Sequence, residues 1–85
     1  MAKAVKIYTT YYCGYCRMAK QLLESRKVAF EEIDVSDDDA TREWLVTATG
    51  RRTVPQIFIG EEPIGGYEGL AALDRSGRLA THLEG

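Results

Sequence analysis

Only two cysteines, one histidine, one tryptophan and two prolines occur in the 85 residues, and neither sign of charge prevails. With so few thiols the chain is no disulfide-stapled scaffold. The two cysteines and the distant His82 fall short of the four ligands a structural zinc site needs. Eleven Lys and Arg stand against thirteen Asp and Glu, a formal charge of -2. No basic stripe is left to neutralise phosphates, so nucleic acid is not an expected partner. No apolar run approaches the ~18 residues of a membrane helix, and no membrane association is expected. Met1-Ala2-Lys3 enters an apolar stretch at once, one too short for the central region of a secretory leader. The expectation is a cytoplasmic protein in a reducing compartment, where a close cysteine pair serves catalysis or metal binding more often than stapling. The length suits one domain, 1–85.

What is present is an alternation of strand and helix patterns. Ala4-Val5-Lys6-Ile7-Tyr8 predicts a buried strand, ended by the loop Thr9 to Tyr12. From Gly14 to about Arg26, Cys16, Ala19, Leu22 and Leu23 recur at helical spacing, with Arg17, Lys20, Gln21 and Glu24 opposite. Val28 to Val35 predicts a second strand, parallel to the first through a right-handed crossover. Ser36 predicts a helix cap with Asp37, Asp38 and Asp39 in the positive first turn. Ala40, Trp44 and Ala48 at i+4 spacing put Trp44 in the core, and Gly50 closes that helix. Val54-Pro55 leads into a third strand, Gln56 to Ile59. Gly60 to Pro63 predicts a turn, and Ile64 a brief antiparallel fourth strand. Glu68 to Ser76, with Leu70 and Leu73 inward, predicts a third helix ended by Gly77; Leu79 and Leu83 predict a last helical turn. The order β-α-β-α-β-β-α describes an α/β domain with a four-stranded mixed sheet flanked by helices.

The chemistry lies in Cys13-Gly14-Tyr15-Cys16, where the first loop becomes the first helix. A sulfur at a helix N-terminus meets unpaired N–H groups and the positive end of the dipole, which favour negative charge on it. Cys16, one turn inside, is expected to be more buried and less acidic. Arg17 and Lys20 add positive charge. Such a pair suits thiol–disulfide exchange, with Cys13 attacking and Cys16 resolving the mixed disulfide. A c-type haem attachment needs His after the second cysteine, and Arg17 stands there. Tyr11 and Tyr12 either shield the thiol, offer a docking surface or simply pack.

With Cys-Gly-Tyr-Cys at the first helix, Thr53-Val54-Pro55 before the third strand and Gly65-Gly66 before the third helix, the chain resembles a dithiol glutaredoxin over nearly its whole length. The resemblance implies a thioredoxin-like fold and a cis Pro55 that brings the Thr53-Val54 backbone beside Cys13. It implies glutathione as co-substrate, pairing with the Val54 main chain as a strand would. The glutathione-binding positions it implies are Tyr15, Arg52, Thr53, Val54, Pro55, Gly66, Tyr67 and Glu68. The family often has an Asp pair where Glu68 and Gly69 stand; recognition of the γ-glutamyl carboxylate then falls to backbone N–H groups at the third helix. It also often has Lys where Thr10 stands, a charge that Arg51 or Arg52, or less readily Arg42, would replace.

The implied activity is glutathione-dependent reduction of protein disulfides and protein-glutathione mixed disulfides by a monomer. No metal is expected, with one alternative. Gly14 replaces the family's usual Pro, and members lacking that Pro include homodimers that bridge a [2Fe-2S] cluster through the first cysteine of each subunit and two glutathiones. Cys13 would then be a metal ligand. A form recharged by thioredoxin reductase is opposed by the intact Gly65-Gly66.

Overall fold

The computed structural model describes residues 3–84. The leader expectation drawn from Met1 and Ala2 lies outside the described residues. Strands β1 (Val5–Thr9), β2 (Glu31–Asp34), β3 (Gln56–Ile59) and β4 (Glu62–Gly65) form one sheet in the order β2-β1-β3-β4. β1 runs parallel to β2, while β3 runs antiparallel to both β1 and β4. The interior strand β3 is buried along its whole length, and β1 departs from that only at the exposed Lys6, so neither shows the clean inside–outside alternation of a half-solvated strand. Ile57, Phe58 and Ile59 are accordingly all buried. The edges are blunted: β2 exposes Glu31, Glu32 and Asp34, and β4 carries Pro63.

Helices α1 (Gly14–Ser25), α3 (Tyr67–Arg75) and the short α4 (Leu79–Leu83) cover one face. Ala19, Leu23, Leu70 and Leu79 meet Val5, Ile7, Ile57 and Ile59 there. α2 (Asp39–Thr49) covers the other, where Leu45 and Val35 pack with Tyr8 and Phe58. The architecture and element order are those the sequence predicts, with the last helical turn as α4.

Local departures have local causes. β2 starts at Glu31, not Val28, because the Val28 N–H closes α1 by donating to the Leu23 carbonyl at 2.9 Å. Asp38, not Ser36, caps α2: its Oδ1 accepts from the Thr41 N–H at 3.1 Å and its Oδ2 from the Thr41 hydroxyl at 2.6 Å. These bonds, the hydroxyl first, hold its carboxyl below the usual carboxylate range. Ser36 instead ties the loop before Cys13 in place, its Oγ accepting from the Tyr11 N–H at 3.1 Å. The inward residue of α2 is Leu45; Trp44 is 48% exposed and stacks at 5.7 Å on Phe58. The turn is confined to Gly60-Glu61, because Glu62 and Pro63 already pair in β4.

Candidate active site

β1 delivers the chain to one end of the sheet, and the loop after it turns directly into α1. Cys13 occupies the N-cap of that helix in extended conformation, so its side chain folds back over the first turn. Its Sγ accepts the Cys16 N–H at 3.3 Å, one of the orphan donors of the helix start. As a thiol it also donates to the Val54 carbonyl at 3.5 Å. Cys16 projects inward one turn later and is 1% exposed. Burial first, and then the hydrogen bond with Cys13, push its thiol up to about 12, against a weaker opposing pull from the Thr10 backbone and Lys20. At neutral pH Cys16 therefore holds its proton. Two free thiols one turn apart differ sharply in access: Cys13 is half-buried, Cys16 enclosed.

The Val54–Pro55 peptide is cis, as the resemblance implies. The segment Thr53-Val54-Pro55 then forms one wall of a cleft of about 580 Å³, which Cys13 does not itself line but meets through the Val54 carbonyl, 3.5 Å from its sulfur. Tyr15 from α1 and Gly66, Tyr67 and Glu68 from the start of α3 complete it. Six of these seven expected residues follow from two local events, the cis-proline turn and the double glycine at the start of α3. Gly66 has little room for a side chain, since a Cβ there would lie 3.2 Å from the Pro55 carbonyl oxygen. Gly69 has none, since a Cβ would run into the Ile64 carbonyl. The first N–H groups of α3 have no partner within the helix and lie at the cleft.

The structure does not bring Arg52 to the cleft. Its guanidinium reaches Glu43 on α2 at 3.7 Å, and Arg51 lines the cleft instead. In an extended segment successive side chains point to opposite sides, so only one of two adjacent arginines can face the site. Arg42 is held elsewhere, donating to the Tyr12 hydroxyl at 3.2 Å. Tyr11 and Tyr12 are both exposed and pack edge to face at 5.0 Å. Thr10, where Lys was a family expectation, is buried, and its carbonyl accepts the Cys13 N–H at 3.4 Å.

One accessible and one enclosed thiol on a single helical turn, set against a cis-proline loop on this sheet, have a shared chemistry in disulfide exchange. The chain is a thiol–disulfide oxidoreductase of thioredoxin-like fold. Comparison with known proteins narrows the class. Residues 5–64 match the family model described as Glutaredoxin. Glutaredoxin 3 of Escherichia coli K12 is 48% identical over 80 residues, covering 94% of this chain and 96% of that protein. The glutaredoxin of Pseudomonas aeruginosa PAO1 is 48% identical over 79 residues, covering 93% and 94%. Among solved structures, the buckwheat glutaredoxin-glutathione complex superposes with a TM-score of 0.90 at 32% identity, covering 95% of this chain and 76% of that one. The solution structure of glutaredoxin from Brucella melitensis gives 0.88 at 41% identity, covering 98% and 90%. The chain belongs to the glutaredoxin family.

Proposed function

We propose that this chain uses glutathione to reduce protein disulfides and protein-glutathione mixed disulfides, with Cys13 attacking and Cys16 resolving. The observation that carries the reading is the 3.5 Å approach of Cys13 Sγ to the Val54 carbonyl. It sets the accessible sulfur at the end of a cleft walled by peptide backbone. The volume of that cleft lies within the ~300–1,000 Å³ of small-ligand sites.

In this reading glutathione lies extended along Thr53-Val54, pairing with main-chain groups as an added strand. Its γ-glutamyl carboxylate meets the open N–H groups at the start of α3, where the helix dipole also favours an anion. Glu68 faces its ammonium group, and Tyr15 and Tyr67 wall the far side. Arg51, rather than Arg52, opposes the glycyl carboxylate.

On a protein-glutathione mixed disulfide, the Cys13 thiolate attacks the glutathione sulfur. The protein thiolate leaves and takes a proton, and Cys13 holds the glutathionyl group. A second glutathione thiolate attacks that sulfur, releasing glutathione disulfide and restoring the Cys13 thiolate. On a protein disulfide, Cys13 forms a mixed disulfide with the protein and frees its first thiol. Cys16 then gives up its proton and attacks Cys13 Sγ, freeing the second. Two glutathiones give two electrons to the resulting Cys13–Cys16 disulfide, which restores both protein thiols, and the glutathiones leave joined as glutathione disulfide. We place this activity in a single domain, 1–85, acting as a monomer in a reducing cytosol.

The division of labour is tested by two variants. Cys16→Ser is expected to keep deglutathionylation and lose protein-disulfide reduction, while Cys13→Ser loses both. Activity of either kind in Cys13→Ser overturns the assignment of the nucleophile.

A second reading has one observation in its favour: a Cβ on Gly14 would meet nothing within 4 Å, which leaves the mouth of α1 open to another copy. Among the described residues no three His, Cys, Asp or Glu side chains stand together as a metal site, so the ligands beyond Cys13 would have to come from outside the chain. Cys13 from each of two chains and two glutathione thiols would give the four thiolates that a [2Fe-2S] cluster takes. When bound, the cluster would make the dimer an iron–sulfur carrier. Anaerobic reconstitution with iron, sulfide and glutathione separates the readings, a colourless monomer excluding the carrier.

A further inference from the structure

The cleft does not end at its aromatic wall. Tyr15 and Tyr67 stand with ring centroids 6.3 Å apart, and on their far side a trough of about 560 Å³ continues along α3. It shares Tyr15, Tyr67 and Glu68 with the cleft, then runs over Ala71 and Ala72 to Arg75. On α3 these positions fall at i, i+1, i+4, i+5 and i+8, one continuous stripe of the helix. The floor is made of methyl groups, so a chain can approach the helix closely.

The two ends carry opposite charge. Neither Glu68 nor Arg75 enters an ion pair among the described residues. They lie seven helical steps apart, about 10.5 Å along the axis. That span matches about three residues of extended polypeptide at ~3.3 Å each. In the reading above, glutathione fills the first cleft and its ammonium occupies Glu68; Arg75 is then the charge at the trough with no ion pair among the described residues, the neighbouring Asp74 being taken up by Arg26. An alanine-floored trough whose one cation has no ion pair among the described residues is complementary to an extended peptide carrying one acid, rather than to a polyanion.

We propose, resting on the glutathione-dependent reading above, that this trough receives the polypeptide flank of the protein substrate, with an Asp or Glu side chain facing Arg75. The site thus sorts glutathionylated proteins by the sequence beside the modified cysteine. The glutathionyl group, which every such substrate shares, contributes no discrimination.

The test uses synthetic glutathionylated peptides in which a single Asp, or a Lys, is moved one position at a time along both flanks of the cysteine. Glutathionylated free cysteine serves as the flankless reference. The wild-type protein is expected to show a kcat/KM higher for Asp than for Lys by about two- to five-fold at one flank position, the scale of an exposed ion pair. That preference fades as salt is raised. Arg75→Glu is expected to reverse the order while turning over the flankless reference at the wild-type rate. Equal rates for all peptides, or a change in Arg75→Glu that falls equally on peptide and reference, overturns the trough. Failure of the wild-type protein to turn over the flankless reference overturns the glutathione reading itself, and the trough with it.

Discussion

A methyl group at position 69 has nowhere to go. α3 leaves β4 so closely that a Cβ there would collide with the Ile64 carbonyl, a backbone atom that cannot swing aside. Viewed along the sequence, Gly69 is a ligand side chain lost from the family pattern; in the fold it is a packing requirement that sets α3 against the sheet. Gly69→Ala is expected to lower stability by about 1–3 kcal/mol, the scale of an overpacked contact. A fall in the urea midpoint, set beside Gly14→Ala where a Cβ meets open space, measures it; an unchanged midpoint in Gly69→Ala contradicts the close approach. Other residues of the site were legible because their signals are local. A cysteine opening a helix declares its geometry within three or four positions, whereas a proline opening a strand does not by itself announce a cis bond, and that expectation for Pro55 rests on the resemblance. Arg52 is the residue the sequence reading places at the site and Arg51 the one that lines the cleft, since which of two neighbours faces it depends on the direction in which the extended segment meets the sheet.

Among the elements, α1 ends in a way the sequence hides. Lys27 adopts φ of 58°, the left-handed region usually given to glycine, and its N–H donates to the Glu24 carbonyl at 3.0 Å while Val28 reaches back to Leu23. A lysine carries no signal for that conformation, so the strand pattern beginning at Val28 is easily extended too far toward the helix. Lys27→Gly is expected to raise stability by about 1 kcal/mol, because the left-handed conformation disfavours any residue with a Cβ. Chemical unfolding monitored by circular dichroism reads it, and a loss of stability contradicts it. The phase of α2 was obscured for another reason. Ala40 and Ala48 bury too little apolar surface to fix a helix face, and Leu45 fixes it instead, which turns Trp44 to the rim where its ring covers Phe58 and Tyr8.

At the scale of the whole molecule, both halves of the site hang from one layer. α1 supplies the cysteines and α3 supplies the open N–H groups, and the two helices share the core of Ala19, Leu23 and Leu70 against Ile7 and Ile57. Their far ends are joined by Arg26, whose Nε and Nη2 donate to Asp74 Oδ1 and Oδ2 at 2.7 and 2.9 Å. That guanidinium holds the Asp74 carboxyl below its usual range. The sheet order places β3, and with it the cis-proline loop, directly beside β1, so the third part of the site arrives next to the first turn of α1. This arrangement keeps one sulfur at the surface and the other beneath it. Treating the folded, reduced protein with iodoacetamide at neutral pH and locating the label by peptide mass tests that asymmetry directly. The label should appear on Cys13, with Cys16 modified only after denaturation. Comparable labelling of Cys16 in the native protein, or protection of both thiols, would contradict the account.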